Sequence, residues 1–194
     1  MGTIETIDWN LLLLLNGAHT PLLDSFFIAI TNKFTWIPLY ILIAIVFLKY
    51  LGPKNTLIFI CGALVCFALT DQISTRIFKP AFERLRPCHT EYGMQVLWLP
   101  KGCGGMYGFL SSHAANTMGL AVFCSMVFFK VKIPFKGLVV LMLLSYSILN
   151  MLSRVYLGAH YPTDVICGAM LGIILAYVCY KLTLRITSPK KTKK

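Results

Sequence analysis

Charge is scarce in this chain, and negative charge is scarcest. Only 13% of its 194 residues are charged, with seven Asp and Glu against eighteen Lys and Arg, while 57% are hydrophobic. Together with a mean hydropathy of +0.73, this excludes a soluble domain of ordinary composition and places the chain in a bilayer. There is no Pro/Ser-rich linker, no internal repeat and no low-complexity run apart from the lysine-rich end Pro189 to Lys194, so residues 1–194 read as one domain. The N-terminus has no basic segment and carries Glu5 and Asp8 ahead of its leucines, so no cleavable signal peptide is expected.

What is present is a set of long apolar runs. A membrane helix needs about 20 mostly apolar residues, with a lower limit near 17. Five stretches reach that length with their flanks: Trp36 to Leu51, Thr56 to Ile77, Ala114 to Phe129, Gly137 to Leu152 and Pro162 to Leu182. The expected fold is all-α, a polytopic membrane helical bundle of about five transmembrane helices. Residues 1–33 differ. The run Leu11 to Leu15 stops at Asn16-Gly17 and is too short to cross. After the cap-and-proline pair Thr20-Pro21, apolar residues recur at helical spacing with Asp24, Ser25 and Thr31 between them. These segments read as N-terminal interfacial amphipathic helices.

Basic residues set the orientation, because they flank cytoplasmic helix ends more often than outer ones. With five alternating spans, Lys49, Lys54, Lys130, Lys132, Lys136, Lys181, Arg185 and the four lysines of the tail share one side, eleven of eighteen. Residues 183–194 are therefore expected to be a basic cytoplasmic tail and residues 84–110 a periplasmic loop. Such a tail beside a span is suited to anionic membrane lipids and to fixing topology, and nucleic acid is not an expected partner.

This topology, drawn from hydropathy alone, delivers three polar groups to the outer face. Lys79-x6-Arg86-Pro87 follows the second span, Ser111-Ser112-His113 opens the third, and Ser153-Arg154-x5-His160-x3-Asp164 joins the fourth to the fifth. Lys79, Arg86 and Arg154 can clamp a phosphate, arginine matching its oxygens with a planar fork. A helix beginning at Ser111-Ser112 adds free amides and a positive dipole end. Two histidines suggest divided labour. His160 is the candidate nucleophile, with Asp164 four residues on to accept from one ring nitrogen. His113 is the candidate acid. Neither a metal nor a cofactor is called for by this set.

The three groups resemble the motifs of the type 2 phosphatidic acid phosphatase superfamily, which also includes glucose-6-phosphatases and vanadium haloperoxidases. The usual pattern is K-x6-R-P, then P-S-G-H, then S-R-x5-H-x3-D. The first and third are complete, and the second departs, with Leu110 and Ser112 at the usual proline and glycine positions. The resemblance implies a phosphohistidine at His160, an acid role for His113 and no metal. It points to a lipid phosphatase of the bacterial inner membrane with a periplasmic site. The lipid phosphate expected as substrate is a lipid A phosphate or undecaprenyl diphosphate, with phosphatidylglycerophosphate and phosphatidic acid as alternatives. A non-catalytic binder or transporter of lipid phosphates is the rival from another class, and the oligomeric state is unknown.

Other polar residues invite plainer readings. His19 and His89 lack comparable neighbours. Asp71 and Gln72, near the outer end of the second span, read as helix bonding or packing. Glu83 and Arg84 could steer substrate or pair in solvent, and Tyr156 and Tyr161 read as interfacial anchors. Of seven cysteines, Cys61, Cys66, Cys124, Cys167 and Cys179 lie in apolar spans and read as packing. Cys88 and Cys103 lie in the outer loop, where the periplasm is oxidising, and a disulfide is predicted there. The nearby run Lys101 to Gly108 is glycine-rich and reads as turns rather than a phosphate loop.

Overall fold

The computed structural model describes residues 2–131 and 133–187, so Lys132 and the tail residues 188–194 named above lie outside the described residues. Eight α-helices carry the described residues: α1 (Thr3–Gly17), α2 (Pro21–Ile30), α3 (Ile37–Ile73), α4 (Lys79–Phe82), α5 (Glu91–Val96), α6 (Ser112–Lys130), α7 (Lys136–Tyr156) and α8 (Pro162–Thr187). The described residues form no strand, only one antiparallel bridge between Leu85 and Tyr107.

The first two expected spans are one helical segment bent back on itself. At 37 residues, α3 is far too long for a single crossing at 1.5 Å per residue. It breaks at Gly52, whose φ of 73° and ψ of 165° lie outside the helical region and are accessible chiefly to glycine. Pro53 then starts the second half. The two halves run antiparallel, since the rings of Phe47 and Phe59, twelve positions apart, lie 6.4 Å from each other. With the preceding 3-10 turn, the bent segment supplies two legs, residues 33–51 and 53–73, which with α6, α7 and α8 make five apolar helical stretches among the described residues. Residues 33–82, α6, α7 and α8 are each long and apolar enough to span, and the chain is a multi-pass membrane protein.

Helix α6 is the central post, with two-thirds of its apolar window buried against the other helices. Its partner α8 comes very close: a Cβ placed on Gly172 would lie 2.4 Å from the Ala115 carbonyl oxygen. Small residues permit such approach, which is how helices in lipid gain contact without a hydrophobic driving force between them. Phe123, Phe128, Val127, Leu143 and Ala176 fill the core on the side of α6 far from the motif residues.

Helices α1 and α2, bent by 114° at residues 18–20, lie across the motif end of this bundle. Thr20 caps α2 by accepting from the Leu23 amide. On α1 the buried positions are Asp8, Trp9, Leu12 and Asn16, whereas Ile4, Ile7, Leu11 and Leu14 are exposed. The inward stripe is thus partly polar and the outward one apolar. This covers two residues that sequence places at the interface. Tyr156 and Tyr161 are 2% and 4% exposed rather than anchored at the surface. Tyr156 donates to Asp24 of α2 and packs on Phe27, and Tyr161 meets Trp9 of α1 edge to face.

Candidate active site

Beyond α3 the chain winds through a π-helical turn, Ser74–Phe78, into the single turn of α4. Glu83, with φ of 45°, ends it. Lys79 is half-buried on this turn, and the backbone then runs as an extended arm through Arg86. That arm is stitched to residues 103–108. The Arg86 amide donates to the Met106 carbonyl at 3.0 Å and the Gly108 amide to Arg84 at 2.8 Å. Cys88 and Cys103 are disulfide-bonded, with Cα atoms 5.6 Å apart. The arm fixes the Arg86 side chain, which donates from Nη1 to the Cys103 carbonyl at 3.3 Å. The glycine-rich run is therefore a brace for an arginine. At Gly108 any Cβ would meet Asp164 Oδ2 at 3.0 Å and Arg86 Cγ at 3.2 Å, so glycine lets the arm lie against the third motif.

Ser111 is the N-cap of α6, its Oγ accepting from the Ala114 amide at 3.4 Å. Its own amide donates to the backbone carbonyl of Asp164 at 3.0 Å, which ties the second motif to the third. Ser112 is the first helical residue and its hydroxyl accepts from Ser74 at 2.8 Å. The two departures from the usual motif thus have local accommodation: Leu110 is buried, and Ser112 takes an ordinary helical position bonded to the π-helical turn.

Arg154 sits in the last turn of α7, donating from Nη1 to Thr31 at 3.0 Å while its Nε has no partner among the described residues. Its carbonyl accepts from the amides of Ala159 and His160, which curls the loop back and carries His160 inward. His160 is 2% exposed. Asp164, in the first turn of α8, is fully buried and faces it, Oδ2 standing 3.5 Å from His160 Nδ1. That approach falls short of hydrogen-bond geometry, since Nδ1 has no such partner, and Oδ2 instead accepts from the Tyr161 amide at 3.1 Å.

Burial first, then the charges of Arg86, Arg154 and Lys79, hold the His160 imidazole well below its ordinary pKa. The same three cations and His160 bear electrostatically on His113. So the structure brings Lys79, Arg86, Arg154, His113, His160 and Asp164, from four separate segments, into one charged neighbourhood at one end of the bundle. His113 is the most exposed of the motif residues and opens sideways into a cavity of about 300 Å³.

Two further residues belong to the site. Arg84 donates from Nη1 to Asp164 Oδ1 and from Nη2 to Asp8 Oδ2, each at 2.6 Å, and its guanidinium lies 4.2 Å over the Tyr161 ring. Its burial would lower the pKa, but the two carboxylates overcome that and raise it. Asp8, on α1, is fully buried and also accepts from the amide and hydroxyl of Thr163. Sequence left Arg84 undecided and gave Asp8 no role. The available signal for Arg84 was its place inside the first motif, whereas Asp8 lies 156 positions from Asp164 and carried none. His19 stacks on Trp98, and His89 contacts the carbonyl of Gly104, the residue that packs against the Arg86 guanidinium.

Residues 56–188 match the family model described as PAP2 superfamily. Two lipid A 4'-phosphatases are similar along nearly the whole chain. The one from Porphyromonas gingivalis is 37% identical, covering 95% of this chain and 76% of that protein. The one from Bacteroides thetaiotaomicron is 34% identical over 95% of this chain and 82% of that protein. Among solved structures, the transmembrane PAP2 type phosphatidylglycerolphosphate phosphatase of Bacillus subtilis superposes with a TM-score of 0.74 at 22% identity, covering 100% of this chain and 90% of that one. Aquifex aeolicus LpxE gives 0.65 at 23% identity over 90% and 95%. With a family model spanning all three motifs and relatives above 30% identity over most of their length, this chain belongs to the PAP2 superfamily.

Proposed function

We propose that His160 is the nucleophile of a metal-independent lipid phosphatase, with a lipid A phosphate as the favoured substrate. Membership of the superfamily, with two lipid A 4'-phosphatases similar along nearly the whole chain, makes it a phosphatase, and its spans make it a membrane enzyme. The observation that carries the mechanism is the burial of the His160 imidazole beside three cations, which together hold its pKa below the ordinary value. A nucleophile must keep its lone pair, and the cations that suppress its protonation also bind the phosphate it attacks.

In the first step a ring nitrogen of His160 forms a bond to phosphorus while the bond to the leaving oxygen breaks. His113 gives that oxygen its proton. Lys79, Arg86 and Arg154, with the amides at the Ser111–Ser112 start of α6, stabilise the charge on the equatorial oxygens. In the second step water attacks the phosphohistidine, His113 takes the proton, and inorganic phosphate leaves with His160 restored. Asp164 stabilises the imidazole as its charge rises, and the closing of its 3.5 Å gap to Nδ1 belongs to that step.

The preference for lipid A phosphate rests on the two similar lipid A 4'-phosphatases. Undecaprenyl diphosphate comes next, then phosphatidylglycerophosphate and phosphatidic acid. The excess of basic residues on the opposite ends of the spans supports a periplasmic site in the bacterial inner membrane. The decisive experiment is release of inorganic phosphate from these four lipids by purified protein in EDTA. Release that is abolished in His160→Ala and strongly reduced in His113→Ala is expected. Binding without release from any lipid phosphate would instead establish the binder, and a requirement for added divalent metal would overturn the mechanism.

A further inference from the structure

The cavity beside His113 is bounded by the 3-10 turn Lys33–Trp36, the second half of α3, α6 and α7, and its wall is built in two parts. Near His113 the polar groups have capacity to spare among the described residues. Asn116 accepts from Thr70 through Oδ1, which leaves its Nδ2 donors free. Lys33 has no carboxylate partner and lies 5.2 Å over the Phe34 ring. The Asp71 carboxylate accepts only from Gln72, at 3.3 Å. Further in, Tyr40, Phe67 and Leu120 line the wall, and these same three residues line a larger apolar cavity of about 420 Å³ between the halves of α3 and α6. The sequence of environments is therefore the cation cluster, a chamber whose largely apolar wall carries polar groups from Lys33, Asp71 and Asn116, and the adjoining apolar groove.

Resting on the reading of His113 as the acid, we infer that this chamber is the leaving-group subsite and that its few polar groups on a largely apolar wall suit a sugar ring: an acylated amino sugar bearing the phosphate. The proton of His113 must go to the oxygen that departs, so the departing alcohol sits on the side that His113 faces. The free groups there are donors from Asn116 and Lys33 and an acceptor carboxylate from Asp71, with the Trp36 ring beside them. Hydroxyl and amide groups of a sugar satisfy all three, and its apolar ring face suits an indole. The diacylglycerol left by phosphatidic acid offers no hydroxyl beyond the one being released. The departing phosphate of a diphosphate lipid would meet the Asp71 carboxylate, and Lys33 and Asp71 together supply no net positive charge to hold it. The sugar's acyl chains run into the adjoining apolar groove without leaving the protein.

A site that hydrogen-bonds substrate groups discriminates strongly against analogues lacking them. The test compares Asp71→Asn and Asn116→Ala with the unaltered protein on two substrates of equal chain length, an acylated glucosamine phosphate and phosphatidic acid. The ratio of kcat/KM for the sugar lipid over phosphatidic acid is expected to fall at least tenfold in each variant. A ratio unchanged in both variants overturns the subsite, because a general disturbance of the phosphate pocket lowers both substrates together. A second measurement is independent of turnover: saturable binding of the acylated glucosamine lipid without its phosphate to His160→Ala protein in nanodiscs. Binding weakened at least tenfold by Asp71→Asn supports the subsite even where no lipid is hydrolysed, a result that would sink the proposed function alone. Absent or unaltered binding overturns the subsite.

Discussion

Arg84 and Asp164 are joined by a 2.6 Å ion pair that sequence spacing gives no reason to expect, and it sets where the carboxylate beside His160 points. Asp164 spends Oδ1 on Arg84, which leaves Oδ2 for the Tyr161 amide and the His160 ring. Arg84 is held in turn by Asp8, so a residue of the N-terminal helix positions the carboxylate through one intermediate.

Arg84→Gln is expected to lower kcat about a hundredfold with little change in KM, because misplacing a supporting group by about 1 Å costs on that order. Steady-state kinetics on the best substrate from the four-lipid assay separates the two constants. A selective rise in KM would instead make Arg84 a phosphate ligand.

Asp8→Ala leaves the Thr163 amide and part of the Arg84 guanidinium without acceptors in a covered site. The cost is about 1–3 kcal/mol per buried group left unsatisfied, read as a lower thermal midpoint in detergent. Asp8→Asn retains an acceptor for Thr163 and is expected to recover most of the stability but not the rate, since it removes the charge that holds Arg84. A variant with full activity would dismiss Asp8 from the positioning chain.

The depressed pKa of His160 fixes the sign of a pH effect. Its folded pKa lies below the ordinary 6.5, so the ring stays neutral, and able to attack, as pH falls through that value. The acid limb of kcat/KM is therefore expected below pH 6.5. Removing a neighbouring cation with Lys79→Met should move that limb upward while reducing overall activity. Stability follows the same linkage: it is full above pH 6.5 and is lost as pH falls from there towards the folded pKa, because only the unfolded chain takes up the proton. An acid limb above pH 7 in the unaltered protein contradicts this assignment.

Reducing or replacing the Cys88–Cys103 bridge opens a loop with a separation of fifteen residues, worth about 3 kcal/mol in the chain-entropy account. Because Arg86 donates to the Cys103 carbonyl, KM should also rise in Cys103→Ser. Peptide mass spectrometry without reduction checks the bond itself. Two free thiols there would remove both expectations.

The membrane bundle was legible in the apolar runs because lipid demands length and continuity, which are local properties of a sequence. Even Gly52-Pro53 lay in the gap between two expected spans, and the structure turns the chain there. The motif residues were legible for a related reason: each motif sits at the mouth of a span, and alternating topology sends such mouths to the same side. Interactions across the bundle were not. Tyr156 and Tyr161 have the amphipathic character of interfacial anchors, and only the folding of α1 and α2 over the helix ends buries them.

By itself, then, the sequence determined that the chain crosses the bilayer, which residues carry positive charge and imidazole to one end, and that Cys88 and Cys103 share a loop. Tertiary structure alone decided that Asp8 reaches Arg84, that Asp164 stands 3.5 Å from His160 without a formed hydrogen bond, and that His113 lines a chamber sharing Tyr40, Phe67 and Leu120 with a neighbouring apolar groove. The division has a physical cause. Periodicity and hydropathy report each helix's relation to its solvent, whereas the direction of a buried side chain depends on which partner, arbitrarily distant along the chain, satisfies it.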